Sequence, residues 1–281
     1  MLESPYHKMH IDLHTHTTAS DGKLSPIQLI ERARARKIDM LSITDHDTIH
    51  AYDFLSEKNT GGIRLIPGIE FSTQWRKTEI HVLGLNIALD SAVLNEGILV
   101  QKKARFERAQ RIIKKFEKLG ISVSLPGPEH DLKHESIGRP HFARYLVELN
   151  LVKNEKEAFD KYLKAGKPAY CQPQWSALTD IVNWIHEAGG QTVLAHPLKY
   201  GLTRTKLNAL IDDFIHAGGE ALETVSGRQD PAHTLELTRI CKEKNLLASC
   251  GSDFHRPGQP WAELGNISPL PEPGLQIWRN W

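Results

Sequence analysis

Two rhythms alternate along the chain. Short apolar runs of strand length begin at Ile11 and recur over residues 40–44, 64–69, 80–87, 192–195, 221–225 and 246–250. Between most of them apolar residues return every three or four positions, the spacing of a helix with one buried face. Ser25 reads as an N-cap, Pro26 as the first helical residue and Ser25-x-x-Gln28 as a capping box, with Ile27, Ile30 and Ala33 inward. A helix is predicted from about residue 99 to 118, with Phe106, Ala109, Ile113 and Phe116 on one face, dense Lys and Arg on the other, and Gly120 as its stop. After a loop holding Pro126, Gly127 and Pro128, helices are expected over 140–149, with Phe142, Leu146 and Leu149 inward, and over about 155–164. Ser176 caps a helix bearing Leu178, Ile181, Val182 and Ile185, which Gly189-Gly190 ends. Two more helices are expected near 206–216 and 232–244, and a tail rich in Pro and Trp packs over one face.

About seven apolar strands alternating with helices predict an α/β fold with a parallel sheet. Residues 91–174 break the rhythm and read as a helical insert or lid, leaving 1–90 and 175–281 as a discontinuous barrel. In such folds functional residues gather at the C-terminal ends of strands. Here those ends carry His14 and His16, Asp45 and His46, Glu70, His196, and Asp253 and His255. A closed barrel brings them to one mouth.

His14 and His16 are two apart on a strand, so both imidazoles face the same way and reach one point. Asp21 follows five residues later, and His81 has the opposite parity from Ile80 and Val82. Together His14, His16, Asp21, His46, Glu70, His81, His196, Asp253 and His255 offer nitrogen and oxygen donors without a thiolate. That chemistry suits Mn²⁺, Zn²⁺ or Fe²⁺. Nine donors are too many for one ion and suit two or three sharing carboxylates. Clustered metals are a solution to phosphoester hydrolysis, because they activate water and hold the oxygens of an in-line displacement. Asp45 is read as orienting a ligand histidine rather than as a ligand.

Composition narrows the setting. The chain has 281 residues, 40% hydrophobic and 25% charged, enough for one large α/β domain with a substantial core. A net charge of +1 gives no general pull toward nucleic acid or an anionic membrane, so any such contact must be local. No apolar run reaches membrane-spanning length, and MLESPYHKMH does not read as a signal peptide. Three scattered cysteines, Cys171, Cys241 and Cys250, argue a reducing compartment, the cytoplasm, without a disulfide framework.

The motifs IDLHTHTTASDG, ITDHD, PGIE, EIH, LAHP and GSDFH stand in the order and spacing of the PHP (polymerase and histidinol phosphatase) family, which the chain resembles. The resemblance implies a distorted (β/α)₇ barrel with three divalent metal ions, Mn²⁺ first among them, held by the nine donors, with Glu70 and Asp253 bridging. Within the insert, SIGRPHFARYL and KYLKAGKPAY with the following PQW resemble the subfamily of RNase AM and the 3′,5′-nucleoside bisphosphate phosphatases. That implies a metal-dependent phosphoesterase acting on 3′,5′-bisphosphonucleotides or short single-stranded 5′-phosphorylated RNA from the 5′ end, with a link to trimming ribosomal RNA. It implies no membrane and no obligate protein partner. Arg139 and His141, at a helix start where free N–H groups and the dipole attract anions, take the catalytic and substrate-binding roles.

Several readings stay open. Arg139 and His141 are either a phosphate clamp or a solvated helix start. Lys102, Lys103, Arg105, Arg108 and Arg111 form a basic face that is either solvated or a guide for an RNA backbone. Trp175 and Tyr170 either stack a base or pack in the core. Lys199 and Arg204 read as solvated loop residues, and Glu223 as lining the cavity or hydrogen bonding within the fold. Competing functions are a histidinol phosphatase, against which the insert argues, and a noncatalytic polymerase-associated metal-binding domain.

Overall fold

The computed structural model of the chain describes residues 9–56, 60–123, 136–268, 270 and 273–281. Seven strands form one sheet in sequential order: β1 (Ile11–Asp12), β2 (Met40–Ile43), β3 (Arg64–Trp75), β4 (Thr78–Leu85), β5 (Gln191–Leu194), β6 (Ala221–Ser226) and β7 (Leu247–Gly251). The sheet curls until its edges meet. Leu13 donates to the Cys250 carbonyl at 3.1 Å, Asp253 to His14 at 2.9 Å and His16 to Phe254 at 2.9 Å, which nearly closes a distorted barrel.

The sheet is not wholly parallel, as the alternation of elements had suggested. β4 runs antiparallel to both β3 and β5. β3 also continues past Glu70 to Trp75 before a tight turn in which Arg76 takes a φ of 55°. The cause is a period-2 pattern inside a stretch that looked too polar for a strand. Ile69, Phe71 and Trp75 point outward into a helix-covered cluster with Ile181, Ile185 and Phe214. Glu70 and Ser72 point the other way. The hairpin pairs Ser72 with His81 and so carries His81 to the mouth, although it lies near the start of its own strand.

Helices cover the outside. α1 (Pro26–Ala35) has the Ser25–Gln28 capping box, although Ile27 is exposed and Leu29 takes its place in the core. α2 (Ala92–Lys118) begins seven residues before the predicted start, with the Ser91 hydroxyl accepting from the Leu94 N–H at 3.3 Å. Its buried stripe is Ala109, Ile112 and Phe116, while Phe106 faces water. α3 (Arg139–Glu148) buries Phe142 and Leu146 and leaves Leu149 exposed. α4 (Glu155–Ala158) runs into a π-helical turn, Phe159–Leu163. These helices share a cluster from Ala109 to Cys171 that is separate from the barrel cores. α5 (Leu178–Glu187) is capped at Ala177, not Ser176, by the Asp180 carboxylate accepting from the Ala177 N–H at 3.3 Å. Ser176 instead donates its N–H to Gln101 on α2. α6 (Arg204–His216) and α7 (Pro231–Lys244) complete the layer. The predicted loop at Pro126, Gly127 and Pro128 lies outside the described residues, as do His7, His130 and His134. Among the described residues no helix is long and apolar enough to cross a membrane. Cys171, Cys241 and Cys250 are free and buried.

The end of the barrel away from the mouth is closed by the tail. Ile277 and Trp278 pack among Ile11, Met40, Leu85 and Ala221, residues at the outer ends of their strands. Gln276 bridges to Ala248. The Trp281 indole donates to Gln191 at 2.6 Å. Trp278→Ala should therefore cost about 3–5 kcal/mol in urea unfolding, the scale of truncating a buried aromatic. A loss below about 1 kcal/mol would show that the tail is not part of the core.

Candidate metal centre

Glu70 is fully buried at the barrel mouth, and five imidazoles surround it. Its Oε2 lies 3.3 Å from His14 Nε2, 3.2 Å from His16 Nε2 and 3.0 Å from His46 Nδ1. Its Oε1 lies 2.9 Å from His81 Nδ1 and 3.1 Å from His196 Nε2. Asp253 Oδ1 sits 3.4 Å from His14 Nε2, 3.3 Å from His16 Nε2 and 3.5 Å from His255 Nδ1. Asp21 reaches His255 Nε2 at 3.2 Å and both His16 and His46 at 3.8 Å. All nine sequence-predicted donors thus stand together. They fall into four overlapping groups: His16, Asp21, His46 and His255; His14, His16 and Asp253; His14, Glu70 and His196; and His46, Glu70 and His81. Glu70 belongs to two groups, as a bridging carboxylate must, whereas Asp253 enters one.

Most of these close approaches are not hydrogen bonds; His196 Nε2 with Glu70 Oε1 is one that is. His14 Nε2, both ring nitrogens of His16, His46 Nδ1, His81 Nδ1, His196 Nδ1 and Glu70 Oε2 are buried and lack a hydrogen-bond partner among the described residues. An unpaired buried polar atom costs free energy, and native structures rarely leave several side by side. Lone pairs aimed at shared points rather than at each other are what divalent cations need, and the donor set fits Mn²⁺, Zn²⁺ or Fe²⁺. Burial alone would push Glu70 up, yet the imidazoles of His46, His14 and His81 hold its carboxyl well below the usual range. Burial likewise opposes ionisation of Asp21 and Asp253, but His255 and His46 hold Asp21 well down, and Lys199, His14 and His255 do the same for Asp253. Burial lowers His46 and His196 toward the neutral ring that donates to a metal, whereas in His14, His16, His81 and His255 the neighbouring carboxylates overcome burial and raise the ring, so these imidazoles must release protons when a cation binds.

A supporting layer fixes these donors. Glu223 Oε1 lies 3.0 Å from His14 Nδ1, and Oε2 accepts from the His196 N–H at 2.6 Å, so one buried carboxylate sets two donors. Gly251 lets β7 pass His14, since a Cβ there would lie 2.2 Å from His14 Cβ. Asp12, pushed up to about 6 by burial, accepts from the Ser252 and Gly265 N–H groups and ties β1 to the loop bearing Asp253. Asp45 was expected to orient a histidine. It accepts instead from the Thr17 N–H, the Thr17 hydroxyl and the Ser20 hydroxyl at 2.7, 2.5 and 2.5 Å, and so pins the turn that presents Asp21. His196 and Asp253 have φ angles of 27° and 54°, backbone strain that the surrounding bonds must sustain.

Beyond His46 and His81 the mouth opens into a cleft lined by Ser72, Glu79, Arg105, Arg108, Arg139 and Phe159, among others. Arg105 and Arg108 are buried, which removes the solvated alternative for these two of the five basic residues. Arg105 Nε donates to Asp47 at 2.6 Å, and Arg108 Nη1 to Glu79 at 3.0 Å. Arg139 also donates to Glu79, at 2.8 Å. Burial would raise Glu79, but Arg139 and Arg108 hold it down at about 2. The Trp175 indole donates to Glu79 at 3.2 Å, and both Arg105 and Arg108 lie over its ring. Three guanidinium groups against two carboxylates, Glu79 for Arg108 and Arg139 and Asp47 for Arg105, leave one positive charge in excess at the cleft. Sequence reasoning missed Glu79, Gln101 and Asp47 here. Gln101, Arg105 and Arg108 share one face of α2, and their partners lie far away in the sequence.

His141 does not line the cleft. Its Nδ1 accepts from the Gly138 N–H at 3.0 Å, and the ring also bonds the Ser20 backbone. With Arg144 donating to the Asp21 carbonyl at 2.9 Å and Ser136 to Ala19 at 3.0 Å, it fastens α3 to the loop carrying Asp21. Lys199 pairs with Asp253 at 2.5 Å, while Arg204 meets Glu236 on the surface. Tyr170 contributes its carbonyl to Lys115.

Residues 12–194 match the PHP domain model. The chain is 39% identical over 273 residues to the 5′-3′ exoribonuclease Rnm of Escherichia coli strain K12, covering 96% of this chain and 93% of that one. It is 39% identical over 272 residues to a 3′,5′-nucleoside bisphosphate phosphatase of Chromobacterium violaceum, covering 96% and 95%. Among solved structures, an amidohydrolase from Chromobacterium violaceum with bound sulfate and no metal superposes with a TM-score of 0.84 at 36% identity, over 96% of this chain and 95% of that one. With the donor cluster at the mouth of a matching barrel, the chain belongs to the PHP domain family.

Proposed function

We propose that this protein is a metal-dependent phosphoesterase that removes the 3′-phosphate of 3′,5′-nucleoside bisphosphates and, by the same bond cleavage, trims 5′-phosphorylated RNA from its 5′ end. The observation that carries this is the arginine-lined cleft opening directly onto the metal-donor cluster. The nine donors His14, His16, Asp21, His46, Glu70, His81, His196, Asp253 and His255 would hold three divalent ions, Mn²⁺ foremost. When bound, such ions lower the pKa of water and neutralise charge developing on the transferred phosphate. Residues 91–174 act as a lid over a barrel of 1–90 and 175–281. The free, buried thiols fit a reducing compartment, the cytoplasm.

Both activities named for the relatives reduce to one reaction. Arg139, Arg108 and Arg105 fix the 5′-phosphate of the terminal nucleotide by charge-assisted bonds, with Glu79 holding the planes of Arg139 and Arg108 and Asp47 that of Arg105. That places the phosphate on O3′ over the donor cluster. Water's oxygen joins phosphorus, the P–O3′ bond breaks, and the water proton ends on O3′. From a bisphosphate the products are a 5′-mononucleotide and inorganic phosphate. From RNA they are a 5′-mononucleotide and a shortened chain that again begins with a 5′-phosphate. His141 positions Asp21 through the Ser20 loop rather than touching substrate.

Chelation should abolish hydrolysis and lower the melting temperature, and Mn²⁺ should restore both. Elemental analysis should find close to three ions per chain, and fewer than two in active protein would remove the trinuclear reading. Glu223→Ala should weaken metal retention by about 10–100-fold, the usual effect of losing a group that orients a metal ligand. Offered adenosine 3′,5′-bisphosphate, a 5′-phosphorylated RNA oligomer, its 5′-hydroxyl counterpart and histidinol phosphate, the protein should strongly prefer the first two. Equal rates on the two oligomers would defeat the 5′-phosphate clamp, and action on histidinol phosphate alone would defeat the assignment. Arg139→Ala should lower kcat/KM on 5′-phosphorylated substrates by about 10–100-fold, the worth of a hydrogen bond to a charged group, with metal content intact.

A further inference from the structure

On the other side of the cluster the cleft continues. A second cavity of about 330 Å³ is lined by Lys23, Arg144, Lys199, Arg256, Phe159 and Trp261, among others. Asp21, Pro140 and Phe159 line this cavity and the arginine cleft alike. His46 and His81 border the first, whereas Asp253 and His255 border the second. The two are therefore halves of one groove with the metal donors between them. In the second half four cationic side chains face one carboxylate outside the donor set, Glu155. Glu155 is engaged by Arg256 at 2.6 Å, and Lys23 is 3.8 Å away. Lys23 and Lys199 keep about half of their side chains in water.

Trp261 is the unusual member. Its residue is 61% exposed, yet its backbone is fixed. The Trp261 carbonyl accepts from the Arg228 N–H at 2.8 Å and lies so close to Gly227 that a Cβ there would come within 2.4 Å. The next residue, Ala262, is buried. An indole held on a rigid support and presented to water beside a cationic cavity is a stacking platform for a base.

We propose that this half-groove is the subsite for the nucleotide on the 3′ side of the scissile phosphate, with its base stacked on Trp261 and its backbone beside Lys23 and Lys199. The proposal rests on the phosphoesterase reading above, which fixes the polarity. With the 5′-phosphate in the arginine cleft and the phosphate on O3′ at the donors, the O5′-linked remainder of an RNA has to leave on the Trp261 side. A nucleoside bisphosphate has nothing to place there. The subsite therefore separates RNA from mononucleotide as substrate, at a residue that does not touch the reacting atoms.

The test compares adenosine 3′,5′-bisphosphate with 5′-phosphorylated diadenylate, using the full-length Mn²⁺-loaded protein. In Trp261→Ala the ratio of kcat/KM for the dinucleotide to that for the bisphosphate should fall about tenfold, mostly through KM. Trp261→Phe should recover most of it. Independently of any variant, a dinucleotide whose second residue lacks its base should show the same loss with the wild-type protein. An unchanged ratio, or no effect of the missing base, overturns the subsite. A wild-type protein that hydrolyses neither substrate instead overturns the phosphoesterase reading.

Discussion

Everything at the mouth of this barrel answers to the burial of Glu70. A carboxylate without solvent is tolerable only with compensating charge, and the protein supplies it as five imidazoles delivered from four places along the chain. The local geometry follows. β3 must run on past Glu70 so that its outward residues anchor it to the helices, and β4 must reverse so that His81 arrives from above. The loops after β5 and β7 accept left-handed backbone at His196 and Asp253. Glu223 and Gly251 matter because they let His14 stand against β7 in one orientation. Metal affinity in such an arrangement depends on the barrel's packing as much as on the donors, since each donor owes its direction to a strand that the core positions.

Substrate choice is built on the same scaffold but by other elements. α2 carries Gln101, Arg105 and Arg108 across the mouth, and their partners Asp47, Ser72 and Glu79 all belong to the loops and hairpin that also present His46, Glu70 and His81. The arginines are therefore not free to adapt to any anion. Buried guanidinium groups tied to fixed carboxylates present their remaining donors in one geometry, as the proposed clamp for a terminal phosphate requires.

The donor set was legible because its chemistry is concentrated at apolar strand ends, where polar residues are conspicuous. The helices of the barrel were legible from capping and spacing. The antiparallel hairpin was not, because a strand reading Glu-Phe-Ser-Thr-Gln-Trp alternates its faces without looking apolar, and because a sequence of βα units biases the eye to parallel pairing. The burial of Arg105 and Arg108 was hidden for a related reason. A periodicity argument sorts a helix into one apolar and one solvated face, and a buried polar face satisfied by distant loops has no local signature. Asp45 and His141 show the same limit. Their residue types announced catalytic or orienting roles, and only tertiary structure shows both anchoring the segment from Thr17 to Asp21.

That segment joins the two halves of the problem. Asp21 offers its carboxylate to the donor cluster and its carbonyl to Arg144 of α3, while its neighbours Ala19 and Ser20 are held by Ser136 and His141. The helix that begins with Arg139 is thus fastened to a metal donor by backbone contacts that substitution of the donor alone would not remove. Any coupling that these contacts carry between metal binding and substrate binding is reciprocal: the free energy by which one ligand tightens the other is the same in both directions.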